Sequence, residues 1–290
     1  MSTPFSLRIF VADGDPDGLR VVERSNWIGK ALIFPRALLP KVKQRDELGQ
    51  TGVYLLLGPR DDGEGEKLYI GEGDPIRPRL ESHYAQKDFW TRAVCFVAAP
   101  GQLNKAHVQF LEANLVRLAK AAKRMPLDNG NAPTEPTLSE ADRADMLVFL
   151  ANMLGMLPVL GVQAFEQAPP PAASAATLLT CKGKGVLATG YESSQGFVVK
   201  AGSHAVLDAV PSMQQHVRGM FELRQELIGN GVLAVEGGGY RFSQDYVFTS
   251  PSTAAAVVLG RSANGRIEWK DAQGRTLKEL QTQELGDATA

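Results

Sequence analysis

The chain has 290 residues, 44% of them hydrophobic, and a formal charge of −1 from 31 Lys and Arg against 32 Asp and Glu. That length leaves room for about two domains with apolar cores, and the balanced charge argues against a strong non-specific nucleic-acid binder, which displays a clear basic excess. The two cysteines, Cys95 and Cys181, give neither a disulfide framework nor a metal-binding spacing, so the chain reads as cytoplasmic.

Residues 1–50 hold short strands (LRIFVAD, RVVER, KALIFPR) and a Lys/Arg-bearing helix from about Arg36, expected as a small lobe leaning on the neighbouring domain. The opening SLRIFVAD is broken by Arg8 and lacks a basic leader and cleavage site, so it does not read as a signal peptide. Two apolar runs, GVYLLLG (52–58) and KLYIGEG (67–73), bracket the turn-forming PRDDGEGE and predict a β-hairpin. A turn centred between Asp61 and Asp62 makes Tyr54 and Tyr69 direct cross-strand neighbours on one face.

Asp74 as N-cap and Pro75 at the first helical position predict a helix that starts immediately after the hairpin. Arg79 and His83, four apart, project from one face of it, beside an apolar stripe of Ile76 and Leu80; Pro78 falls in the first turn. RAVCFVA (92–98) reads as a third strand, and Asn104 caps a helix running to about Lys123. Glu112 shares a stripe with Val108, Leu115 and Ala119 and has no ion-pair partner on its own helix. A half-buried, unpaired carboxylate calls for a cation.

Each residue has an ordinary reading when taken alone. Tyr54 and Tyr69 are then strand tyrosines, Arg79 a solvated charge, His83 a satisfied or exposed histidine, and Glu112 a carboxylate snorkelling from its helix edge. Their order and spacing give them weight as a set: a phosphodiester-cutting site needs a base, a cation for the phosphate and a carboxylate for a metal.

Gly52-Val53-Tyr54, Tyr69-Ile70-Gly71, Arg79 eight residues after Gly71, then His83 and a helical Glu112 resemble the GIY-YIG nuclease family over about residues 50–125. Val53 stands where isoleucine is usual. IGEGDPIRPRLESHYAQKDFW followed by LNKAHVQFLEANL is similar to a branch of that family in bacterial proteins. The resemblance implies a small sheet flanked by helices and one Mg²⁺ or Mn²⁺ on Glu112, held mostly through waters. It implies that Arg79 stabilises charge on the phosphate, and that Tyr54 or Tyr69 orients or deprotonates the attacking water. His83 either assists Tyr54 or acts itself, since an ordinary phenol is a poor base at neutral pH. The family's late supporting asparagine has only Asn114 and Asn129 as counterparts, and its further basic or hydroxyl group has only Lys87 and Lys105; none stands at a position that assigns it.

MPLDNGNAPTEPT (125–137) reads as a loop. Met146 to Phe165 carries no charge and is long enough to span a bilayer, but Asn152, Gly155, Pro158 and Gln163 interrupt it and no Lys or Arg flanks its far side. A helix capped by Ser139, with Asp142 at its third position, instead presents Met146, Leu150, Met153 and Leu157 for packing. EQAPPPAASAA (166–176) is a semi-rigid linker.

Beyond it, GVLATGYESSQGFVVKAGS predicts two or three strands, 212–228 an amphipathic helix and YRFSQDYVF an extended segment. TSPSTAAAVVLGRSANGRIEWKDAQGRTL combines a capped small-residue helix, an Asn264-Gly265 turn and a strand with Trp269. It resembles a domain-of-unknown-function family often appended to GIY-YIG nucleases, and modules that accompany restriction enzymes and DNA methylases. That resemblance implies nucleic-acid recognition; a structural or homo-oligomerisation role is the alternative.

The expected fold is α+β, with a 1–50 lobe, a 51–125 nuclease domain, a 126–165 helical extension, the linker, and a separate α+β accessory domain over 177–290. The expected function is a metal-dependent endonuclease acting on DNA in preference to RNA, with no membrane association. The alternative is a catalytically weak or inactive nucleic-acid-binding or interaction protein on the same fold. With a near-neutral total charge, affinity has to come from a local patch such as Arg77, Arg79, Lys87 and Arg92.

Overall fold

The computed structural model describes residues 4–60, 65–166 and 177–287. The protein is mixed α+β and divides into two units, Met1–Glu166 and Gln167–Ala290. The expected turn centre at Asp61 and Asp62 and residues 167–176 of the expected linker lie outside the described residues.

In the first unit β1 (Leu7–Val11), β2 (Arg20–Arg24), β3 (Gly29–Pro35), β4 (Gly52–Pro59), β5 (Glu66–Gly73) and β6 (Arg92–Ala98) form one antiparallel sheet, ordered β1-β2-β3-β6-β4-β5. The strands of the N-terminal segment therefore share the hairpin's sheet, with β3 paired to β6 from Gly29 and Ala98 to Pro35 and Arg92. Helices cover both faces, which is why β4 is apolar throughout instead of alternating. Val53, Leu55 and Leu57 meet α3 (Lys105–Ala122) and α4 (Glu140–Met156) on one side. Tyr54 and Leu56 meet α1 (Leu39–Val42) and α2 (Arg77–Gln86) on the other.

The hairpin register differs from the expected one. Tyr54 lies opposite Gly71, and Tyr69 opposite Leu56, so the tyrosines are diagonal neighbours. A slip of two residues keeps both on the same face. Gly71 gives the reason: a Cβ there would stand 2.5 Å from the Tyr54 hydroxyl, so the ring lies across the residue that has no side chain. The helix start is also corrected. Asp74 accepts from the Thr51 hydroxyl and belongs with Pro75 to a turn; α2 begins at Arg77, with Pro78 in its first turn, where a missing N–H costs nothing.

Asn104 caps α3 by accepting from the His107 N–H, and Ser139 caps α4 by accepting from the Asp142 N–H, each worth about 1 kcal/mol. Met146, Leu150, Met153 and Leu157 are buried against the α3 side of the sheet, roughly 1.5–3 kcal/mol for each large apolar side chain. No helix among the described residues is long and apolar enough to cross a membrane.

The second unit has two antiparallel sheets. One orders β13 (Tyr246–Phe248), β9 (Gly196–Val199), β8 (Val186–Ser193) and β7 (Leu179–Gly183); the other orders β10 (His204–Val206), β12 (Gly239–Phe242) and β11 (Leu233–Glu236). YRFSQDYVF is thus split between two sheets, not one extended segment. The expected 212–228 helix is two, α5 (Pro211–His216) and α6 (Arg218–Gly229), divided at Val217, whose backbone leaves the helical region. The small-residue helix α7 (Pro251–Leu259) is capped by Ser250.

Asn264 does not make a hairpin turn. Its side chain accepts from the Arg266 N–H and caps a short helix, α8 (Gly265–Glu268), while Gly265 packs on the Pro251 backbone too closely for a Cβ. Trp269 follows as the C-cap, not on a strand, fully buried with its indole N–H donating to the Pro251 carbonyl. A last helix, α9 (Leu277–Asp287), ends the described chain. Cys95 and Cys181 are free, buried thiols.

Candidate active site

The site forms where α2 lies along β5. Tyr54 is fully buried, and its hydroxyl sits 2.9 Å from His83 Nε2. Tyr69 is half-buried, with its ring centroid 4.7 Å from that of His83 in an edge-on arrangement and 6.4 Å from that of Tyr54. Arg79, exposed one helical turn before His83, stands close enough to the same Tyr54 phenol for its charge to act on it. Gly73 makes this possible, since a Cβ there would press on Ile76 and lie 3.2 Å from Arg79 Cγ.

Glu112 approaches from α3, on the other face of the sheet. It is half-buried and has no hydrogen-bond or ion-pair partner among the described residues. Glu72 stands close enough to act on it, and is itself gripped by Lys105, whose Nζ donates to both carboxylate oxygens at 2.6 and 2.8 Å. Thus Tyr54, Tyr69, Arg79, His83 and Glu112 are drawn to one region at the edge strand, from both sides of it.

The electrostatics follow from this placement. Burial first, then Tyr69, pushes the Tyr54 phenol above its ordinary value, against the pull of Arg79. Burial, with the charges of Arg79 and Lys87 added, pushes His83 down to about 4, so it is neutral at physiological pH. Glu112 moves the other way: burial and then Glu72 raise it to about 7, despite Arg79 and Lys105. Arg79 is held more firmly protonated, first by Tyr54.

Sequence reasoning missed one support, Glu72, and left another, Asn129, unassigned. Glu72 reads as one charge in a strand, and its contact with Lys105, thirty-three residues on, leaves no periodic signal. Asn129 brackets the Ile70 peptide, accepting from its N–H at 3.0 Å and donating to its carbonyl at 2.7 Å, which pins β5 beside Tyr69. Asn114 instead donates to the Phe110 carbonyl and to Glu135, within and beside α3. Of the patch residues, Arg77 is tied to the Arg45 carbonyl and Arg92 to Glu66.

Residues 179–281, nearly all the second unit's described elements, match a family model described as a Domain of unknown function (DUF4357). No curated protein and no solved structure matches the chain.

Proposed function

We propose that the chain is a metal-dependent endonuclease of GIY-YIG type that hydrolyses phosphodiester bonds, in DNA in preference to RNA. The observation that carries this reading is the convergence at one edge strand of the Tyr54–His83 pair, Arg79 and a Glu112 unpartnered among the described residues. A carboxylate lifted to about 7 by burial and a second carboxylate suits a divalent cation, which would relieve both penalties. Among the described residues no group of three or more His, Cys, Asp or Glu stands together, so Mg²⁺ or Mn²⁺ would rest on Glu112 and draw its other ligands from water and substrate. When bound, the ion supplies Lewis-acid polarisation of a phosphate oxygen and lowers the pKa of bound water.

The protein's own groups divide the remaining work. With His83 neutral and the always-charged Arg79 beside the phenol, the Tyr54 hydroxyl hydrogen is assigned to His83 Nε2. Tyr54 then keeps oxygen lone pairs for Arg79 and for the attacking water. His83, with a value of about 4, would hold a proton at neutral pH at a cost of about 4 kcal/mol. It therefore serves as the acceptor that fixes the phenol and not as the final base. Arg79, exposed and always charged, stabilises charge developing on the phosphate.

The second unit supplies target recognition on this reading, with homo-oligomerisation as its alternative role. A nicking assay on supercoiled plasmid with Mg²⁺ or Mn²⁺ tests the activity. Nicking that EDTA abolishes supports it; no nicking with either ion favours an inactive binding protein on the nuclease fold.

A further inference from the structure

Arg79, His83 and Lys87 recur every fourth residue, so α2 with its C-cap presents them as one stripe. Opposite runs the row Gly71, Tyr69 and Lys67, on one face of β5 at its two-residue period. The two rows meet in order. Arg79 packs at the Gly73 end, His83 meets Tyr69, and Lys87 Nζ stands 4.7 Å above the Tyr69 ring centroid.

At the far end Lys87 and Lys67 share one carboxylate: Asp128 lies 2.6 Å from Lys87 Nζ and 3.8 Å from Lys67 Nζ. Asp128 is placed by its backbone. The Leu68 N–H donates to the Pro126 carbonyl at 2.9 Å and the Asp128 N–H to the Leu68 carbonyl at 2.8 Å, docking this segment along β5. Both ammonium groups face the same carboxylate, so an anion that took the place of Asp128 would meet two cations at once. The same cation that stacks on Tyr69 also helps hold His83 neutral.

We propose that Lys87 and Lys67 form a second phosphate subsite, which grips the backbone of the substrate strand away from the bond at Arg79, the phosphate taking the place of Asp128. Eight helical residues span about 12 Å, or roughly three to four nucleotides at their axial rise. The subsite rests on the nuclease reading, but it is read out by binding and not by cleavage. Lysine serves here as a point charge for phosphate, with no demand for bidentate geometry.

The test is the salt dependence of duplex binding in EDTA, where no cleavage intervenes, for the full chain and its variants. Each phosphate contact contributes a slope of about 0.9 in log K against log salt. Lys87→Gln is expected to bind more weakly with a slope shallower by about one, Lys87→Arg to restore it, and Asp128→Asn to bind more tightly with a steeper slope. Asp128→Asn keeps the backbone bonds that place the segment, so its fold is expected to survive. A weaker Lys87→Gln with an unchanged slope means a packing role on Tyr69 and overturns the subsite. Unchanged slopes in both Lys87→Gln and Asp128→Asn, with normal binding by the natural chain, overturn the subsite alone; absence of duplex binding by the natural chain overturns the nuclease reading with it.

Discussion

The Tyr54 hydroxyl lies 2.9 Å from His83 Nε2, so the strand next to the sheet's edge and the helix packed on it are joined by a buried hydrogen bond. Tyr54→Phe removes only the oxygen. A net stability loss of about 0.5–1.5 kcal/mol is expected from the bond, against a rate loss on the order of 10²-fold on the proposed role. Single-turnover cleavage beside a thermal melt separates the two, and a full-rate Tyr54→Phe would reduce the tyrosine to packing.

His83 carries a pH signature of its own. Its folded value of about 4 is below the unfolded value near 6.5, so the fold prefers the neutral ring. The stability this lends is complete above the unfolded value and is lost as pH falls from there toward 4. An NMR titration of the ring should show a midpoint far below 6.5; a midpoint at the ordinary value would contradict the buried, cation-flanked placement.

Glu112 works in the opposite sense. Its folded value of about 7 exceeds the unfolded carboxylate value, so the fold prefers the protonated form and loses stability as pH rises from about 4.5 to 7. Glu112→Gln should therefore be more stable than the natural chain at pH 8, by on the order of 1–3 kcal/mol, with the gain gone below the unfolded value. Mn²⁺ should raise the melting temperature of the natural chain at pH 8 and leave Glu112→Gln unmoved. Equal metal shifts in both would remove Glu112 from the ion's ligands.

Gly71 is required by contact, not by an unusual backbone angle. Gly71→Ala would place a methyl 2.5 Å from the Tyr54 hydroxyl, forcing the ring off His83 and Arg79. An overpacking cost of about 1–3 kcal/mol is expected, together with loss of cleavage. A crystal structure of the variant with the 2.9 Å Tyr54–His83 bond intact would show that the strand simply gives way.

What the sequence disclosed of this site is what is local. The helix stripe of Arg79 and His83, the Asn104 cap and the β6 strand all follow from short-range periods and capping chemistry, and each is where those rules put it. The hairpin register is not local. It is set by where the Tyr54 ring can lie, over Gly71, and turn composition cannot report that. Lys105 on Glu72 and Asp128 on Lys87 join residues more than thirty positions apart. Asn264-Gly265 fits both a tight turn and a helix cap, and close packing on Pro251 selects the cap.

The two units have separate cores, one set around β4 and the other around Trp269. Residues 1–166 alone are expected to fold and keep metal-dependent cleavage, with altered target choice. Residues 177–290 alone are expected to bind duplex with an affinity that falls as salt rises. If the second fragment binds no duplex at low salt and the first binds as tightly as the whole chain, the second unit's role is assembly.

The most direct measurement is the cleavage rate of a defined duplex with Mg²⁺ or Mn²⁺ for the natural chain, Arg79→Ala and Glu112→Ala, with melts recorded in parallel. The natural chain should cleave and EDTA should stop it. Both variants should lose about 10²-fold or more in rate, with little movement of the Arg79→Ala melt, because that side chain is exposed. Full activity in either variant, or cleavage that persists in EDTA, would contradict a metal-dependent nuclease built on these residues.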